Sequence, residues 1–168
     1  MHGTTVATNA VLTGKGAKVG LITTKGYKQV LQVARSFCPG GLGGWVSFLK
    51  KPLLAPLELT IEADERIDAS GQIINALDEK SLRTELEKLK KTGEVEALTI
   101  CFINSYLNAT HEQRAKEVAA EIFTDIPISI STDLVPEMQE YERTETTIVN
   151  SYVRPEVARY VDNLSRSL

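Results

Sequence analysis

His2, Gly3, Thr4, Thr5, Thr8 and Asn9 bring an imidazole, a glycine, hydroxyls and an amide into the first residues of the chain, at the head of an apolar, helix-compatible run. A helix start leaves about four backbone N–H groups without intrahelical partners and carries partial positive charge. Gly3, Thr4 and Thr5 are therefore suited to line a pocket for a phosphate or carboxylate. Thr8 stacks one turn above Thr4 and Thr5, and His2 beside such a pocket titrates in the range useful to an acid, a base or a ligand. The motif is not a P-loop, because no Gly-x-x-x-x-Gly-Lys-Ser/Thr is present. No second His or carboxylate stands near His2 to complete a metal site or triad, so no metal is expected.

A second polar constellation lies in Glu140-Tyr141-Glu142-Arg143-Thr144, continued by Thr147 and Asn150 at successive helical turns. Two readings are open. The run is either a solvated helix face with an i, i+3 pair between Glu140 and Arg143, or a polar stripe aimed at a cleft, with the planar fork of Arg143 holding a carboxylate or phosphate. Asn104-Ser105-Tyr106 and Thr23-Thr24-Lys25-Gly26 each follow an apolar strand-like run, the place where open α/β sheets bind ligands. His111 falls in the first turn of an expected helix and is read as solvated. Cys101, inside an apolar run, reads as a buried thiol; Cys38, beside Pro39 in a glycine-rich stretch, has no basic cluster to activate it.

The elements that must position these groups are legible from periodicity. A helix is expected over Thr4–Thr13, a buried strand over 17–23, and a second helix whose apolar stripe is Tyr27, Val30, Leu31, Ala34 and Phe37. The stretch 38–56, rich in glycine, predicts a flexible loop. A strand over 57–67 turns through Asp68-Ala69-Ser70-Gly71 into 72–75 as a hairpin. Asp78 is an N-cap for a helix with Leu82, Leu86 and Leu89 on one side and Gly93 at its end. A buried strand over 95–103, a capping box at Thr110-His111-Glu112-Gln113, the stripe Ala115, Val118, Ala119 and Ile122, and a strand over 126–131 make a right-handed crossover between parallel strands. From Pro136 the chain is helical, bent or broken at Pro155. The fold class is α/β with a mixed, largely parallel sheet.

Three blocks also carry a resemblance: His2-Gly3-Thr4-Thr5-Val6-Ala7-Thr8-Asn9-Ala10, Lys18-Val19-Gly20-Leu21-Ile22-Thr23-Thr24-Lys25-Gly26-Tyr27, and Glu140-Tyr141-Glu142-Arg143-Thr144-Glu145-Thr146-Thr147-Ile148-Val149-Asn150-Ser151-Tyr152. Together they resemble the N-terminal region of the hydantoinase A/5-oxoprolinase family, which is also related to the acetone carboxylase beta subunit. The resemblance implies part of an actin/sugar-kinase-like ATPase fold lacking its first strands, as one domain over 1–168 truncated at its N-terminus. It implies ATP and Mg²⁺ as cofactors, and ATP-driven ring opening of cyclic amides such as hydantoins or 5-oxoproline, or carboxylation of ketones. It places His2, Gly3, Thr4, Thr5, Thr8, Asn9, Arg143, Thr147 and Asn150 at a nucleotide or substrate site, without naming a nucleophile or base. The family's phosphate loop and its long catalytic region have no counterpart in these residues. An incomplete enzyme that needs a partner chain, or a non-catalytic subunit or split-gene fragment, is the alternative.

Composition narrows the partners. With 168 residues, 42% apolar and 24% charged, the chain can build an ordinary globular core. Net charge of −3 gives no basic footprint for nucleic acid, and 6% aromatic content gives no base-stacking platform. No apolar run approaches the roughly 20 residues of a membrane helix. A cytoplasmic protein acting on a small molecule is the expectation.

Overall fold

The computed structural model describes residues 4–35 and 52–167. Strands β1 (Val19–Thr24), β2 (Thr60–Ala63), β5 (Ala97–Cys101) and β6 (Ile128–Ile130) form one parallel sheet in the order β2-β1-β5-β6, while β3 (Arg66–Ile67) and β4 (Ile73–Asn75) form a separate antiparallel hairpin. The register pairs Leu21 with Thr60 and with Thr99, and Thr99 with Ser129. Helices α1 (Thr4–Thr13), α2 (Val30–Val33), α3 (Glu79–Lys91), α4 (Thr110–Ile122), α5 (Ser131–Leu134) and α6 (Glu140–Ser167) complete the described chain.

Side chains alternate across a strand, and here each face of the sheet receives its own cover. Ile22, Ile61, Leu98, Ile100 and Phe102 pack against Leu82, Leu86 and Leu89 of α3 and Ala115, Val118 and Ala119 of α4. On the opposite face Val19 and Leu21 meet Ile148 and Tyr152 of α6. Burying each large aliphatic side chain contributes about 1.5–3 kcal/mol. The α6 face of β5 is more polar: Thr99 donates to Ser151 Oγ at 2.7 Å, and Thr144 reaches Cys101 Sγ at 3.1 Å. Helix α1 packs along α6.

Most local signals are realised. Asp78 caps α3 by accepting from Ser81 N–H at 3.0 Å, and Gly93 takes φ +67° behind it. The hairpin turns at Gly71, φ +84°, where Asp68 Oδ1 accepts from Ser70 and Gln72 N–H. Helix α6, by contrast, runs through Pro155 as one element, so the expected break does not occur there.

Four further expectations need correction. The stripe starting at Tyr27 yields only the single turn Val30–Val33, because Ala34 leaves the helix with φ 51°; Phe37 and most of the stretch 38–56 lie outside the described residues. The strand expected over 57–67 divides, since Thr60–Ala63 joins the parallel sheet and Arg66–Ile67 turns away to the hairpin. Thr110 does not cap α4: the N-cap is Ala109, and Asn108 Oδ1 instead accepts from Thr110 N–H at 3.1 Å. The last helix begins at Glu140, preceded by the short α5.

Gly16 sits against α6 where Ala17 N–H donates to Tyr152 O at 2.9 Å, and a Cβ on Gly16 would meet Tyr152 Cε1 at 2.1 Å. Gly16→Ala is expected to cost about 1–3 kcal/mol by forcing the ring aside, read as a lower urea midpoint with an unchanged slope.

Candidate functional site

The carboxyl ends of β1 and β5 converge on four buried ionisable side chains, Glu65, His111, Glu112 and Arg143. Buried charge is tolerated only when paired or fully hydrogen-bonded. Glu112, in the first turn of α4, meets that condition as an acceptor: its Oε1 takes Phe102 N–H at 2.9 Å, Ser105 Oγ at 2.7 Å and Ser131 Oγ at 2.6 Å, and its Oε2 takes Thr132 N–H at 2.9 Å. Glu65, just past β2, faces His111 Nδ1 across 2.7 Å and accepts from the Thr24 hydroxyl, which in turn accepts from Ile103 N–H at 2.9 Å. Burial pushes the Glu65 carboxyl up from its ordinary value, against the pull of its Thr24 and His111 hydrogen bonds. One group thus ties the loop after β5 to the starts of α4 and α5, and another ties the ends of β1 and β5 to the residue after β2.

Arg143 reaches the same point from the other face of the sheet. Its Nη2 donates to Phe102 O at 2.6 Å, and its guanidinium lies 5.5 Å from the Tyr106 ring centroid. Phe102 is therefore held at its N–H by a carboxylate of α4 and at its carbonyl by a guanidinium of α6. Arg143 Nε and Nη1 are buried without a hydrogen-bond partner among the described residues.

A cleft of about 690 Å³ adjoins this cluster. Its walls are chain neighbours of the buried groups: Gly26 and Tyr27 follow Thr24, Arg66 follows Glu65, Ile103 and Asn104 follow Phe102, and Glu140 and Glu142 precede Arg143. Asn104 adopts φ 58° and donates from Nδ2 to Ile67 O at 3.0 Å, which fixes the hairpin against the loop after β5. The cluster is thus the rear support of a ligand-sized cleft at the strand ends, the usual location of sites in open α/β sheets.

Of the residues singled out from sequence, Arg143, Thr147 and Asn150 share α6 but not one cleft. Arg143 points inward and makes no ion pair with Glu140 among the described residues, so the solvated-face reading does not hold for it. Thr147 is buried and donates back to Arg143 O at 2.7 Å, while Asn150 donates to Ser129 Oγ at 3.1 Å. On α1, which Thr4 opens, Thr5, Thr8 and Asn9 are exposed. His2 and Gly3 lie outside the described residues. Residues 23–26 and 104–106 do meet at the strand ends, although Lys25 is turned to Asp64 at 2.6 Å.

His111 corrects the sequence reading outright, being buried and paired. The signal was present: positions 111, 115, 118 and 122 are one helical stripe, and 112, 115 and 119 another, so both polar residues lay on the buried side of α4. Glu65 had no local signal, because its partners are 41 and 46 residues away. Among the described residues no group of three or more His, Cys, Asp or Glu side chains is arranged to hold a metal. Glu65 and Glu112 are already occupied by internal hydrogen bonds, so they do not fit Mg²⁺. The start of α1 carries no acidic residue in its first turn, which is compatible with a phosphate nearby.

A parallel sheet with helices on both faces and a polar cluster at its carboxyl edge defines an α/β module with a candidate site at its strand ends. The chain belongs to the hydantoinase/oxoprolinase family, whose N-terminal region matches residues 1–123. It is 37% identical over 171 residues to an uncharacterized protein of Methanocaldococcus jannaschii, covering 100% of this chain and 25% of that protein. The crystal structure of the ATP-dependent caprolactamase from Pseudomonas jessenii superposes with a TM-score of 0.86 at 32% identity, over 97% of this chain and 23% of that one. A nucleotide-free structure of an ATP-dependent acetone carboxylase gives 0.86 at 26% identity, over 96% and 24%. The chain thus spans about a quarter of the length of these relatives. No helix among the described residues is long and apolar enough to cross a membrane.

Three measurements check the cluster. Glu112→Ala removes the acceptor shared by two backbone N–H groups and two serine hydroxyls, of which Ser105 keeps Phe102 O as a second acceptor, and should cost about 3–5 kcal/mol in urea unfolding. The thiol of Cys101, fully buried and pushed up by that burial, should resist Ellman's reagent in a Cys38→Ser background until the chain unfolds. For Glu65 the folded value is raised above the ordinary 4.5, so the native state holds its proton longer than the unfolded chain. Its contribution is full below pH 4.5 and is lost as pH rises through the folded value. The stability of wild type minus that of Glu65→Gln should fall over that window.

Proposed function

We propose that this chain is the nucleotide- and substrate-binding part of an ATP-dependent enzyme that activates small cyclic amides, with hydrolytic ring opening of a hydantoin or 5-oxoproline type substrate as its reaction. The observation that carries this reading is the match of nearly the whole chain to an ATP-dependent caprolactamase in fold as well as sequence. The same part serves a carboxylase in the acetone carboxylase structure, so ketone carboxylation is the second reading. What the two reactions share is a carbonyl oxygen that ATP can phosphorylate, turning a poor electrophile into a reactive one; Mg²⁺ would spread the charge of the transferring group.

In this proposal His2, Gly3, Thr4, Thr5, Thr8 and Asn9 form the anion-binding start of α1. Arg143, with Thr147 and Asn150 behind it on α6, supplies fixed positive charge near the strand ends. Residues 1–168 act as one domain, in the cytoplasm, completed by a partner chain or by further regions of the same polypeptide that supply the phosphate loop and the catalytic residues.

Calorimetric titration with ATP and Mg²⁺ tests this, first on the chain alone and then with a polypeptide that supplies the rest of the subunit. Binding heat together with amide-stimulated ATP hydrolysis is expected in the mixture, and Arg143→Gln should lower that hydrolysis at least tenfold. ATP hydrolysis in the mixture that responds to ketone and bicarbonate but to no hydantoin, 5-oxoproline or lactam would replace hydrolysis by carboxylation. No ATP binding in any combination would refute both.

A further inference from the structure

Two charged side chains of the cleft at the strand ends make no ion pair among the described residues. Arg66 has no carboxylate within ion-pair distance among the described residues; its guanidinium is instead held over the Tyr27 ring, 5.3 Å from the centroid, with Nη2 3.5 Å from the Tyr27 hydroxyl. Stacking of this kind fixes a guanidinium while leaving much of its donor fork free. Glu140, in the first turn of α6, makes no ion pair among the described residues either, whereas its neighbour Glu142 is neutralised by Arg35. Val30, Val33 and Met138 give the same cleft an apolar side. Among the described residues the lining is therefore bipolar, with one cation and one anion that make no ion pair, and apolar surface beside them. The groups that carry its walls are themselves locked from behind by Glu65, His111 and Arg143, which preorganises the cleft.

We propose that this cleft is a subsite for a small organic acid that also bears an N–H donor, the acid group pairing with Arg66 and the donor with Glu140. A volume of about 690 Å³ admits a ring of five to seven atoms with its substituents. A cyclic amide with a carboxylate has both features in one rigid molecule. Its choice as the probe rests on the proposed function, while the two unpaired charges stand without it. Arg66 would then set specificity: neutral lactams and ketones would lose the bidentate pair, and ring acids would be preferred.

The test is a ¹H–¹⁵N titration of the full chain with 5-oxoproline and, in parallel, 2-pyrrolidinone, the same ring without the carboxylate. Saturable shifts at the amides of Tyr27, Val30, Asn104 and Glu142 are expected for 5-oxoproline, with at least tenfold weaker binding of pyrrolidinone. Arg66→Gln should lose that preference, Arg66→Lys should keep part of it, and Arg83→Gln, whose side chain pairs with Glu121 and does not line the cleft, should match wild type. Thermal unfolding of each variant separates loss of binding from loss of fold. Equal binding of both rings, shifts elsewhere, no saturation, or an unchanged preference in a folded Arg66→Gln each overturn the proposal. The two readings fail separately: selective ring-acid binding without ATP turnover in the completed subunit would spare the subsite and sink the enzyme. Amide-stimulated turnover indifferent to Arg66 would do the reverse.

Discussion

The carboxylate of Glu112 is the point on which this architecture rests. It is buried, yet it accepts from two backbone N–H groups and two serine hydroxyls drawn from the loop after β5 and the start of α5. Parallel strands end in loops whose peptide groups have no ladder partner, and in an interior those groups must be satisfied by something. A single acidic side chain does so here for two strand ends at once. The hydrogen bonds to charge are the strong kind, and they offset the desolvation of the carboxylate itself.

Glu65 and Arg143 extend the same solution. Glu65 draws β1 and the chain beyond β2 together through Thr24 and His111, and Arg143 closes on Phe102 from the opposite face. Strand ends that would otherwise fray are set as a rigid rim. The residues immediately after each tied group, Gly26, Tyr27, Arg66 and Asn104, are the walls of the cleft. A buried charge cluster and an open site are in this way two sides of one construction. Arg143 is the incomplete member, since its Nε and Nη1 lack partners among the described residues. Among relatives that share this part, a lactam-opening enzyme and a ketone carboxylase carry the same scaffold.

Legibility in the sequence followed the range of the interaction. The α3 helix was readable because Asp78, the leucine stripe and Gly93 act within one helix length. The turn at Gly71 and the buried run of β5 were readable for the same reason. The second helix was not, because its stripe continued past a residue, Ala34, that the backbone takes out of helical geometry. His111 was misread because first turns of helices usually face water, although its spacing from Ala115 and Val118 put it on the buried side.

By itself the sequence determined the α/β class, the family and the helices that cover the sheet, since periodicity and ordered motifs are properties of neighbouring residues. Only the tertiary structure decided which polar side chains share a site. Glu65, His111, Glu112 and Arg143 are brought together by strand order and by helices on opposite faces of the sheet. A buried charge is set by whatever donors and acceptors the rest of the fold places within about 3 Å of it, and chain spacing carries no record of that.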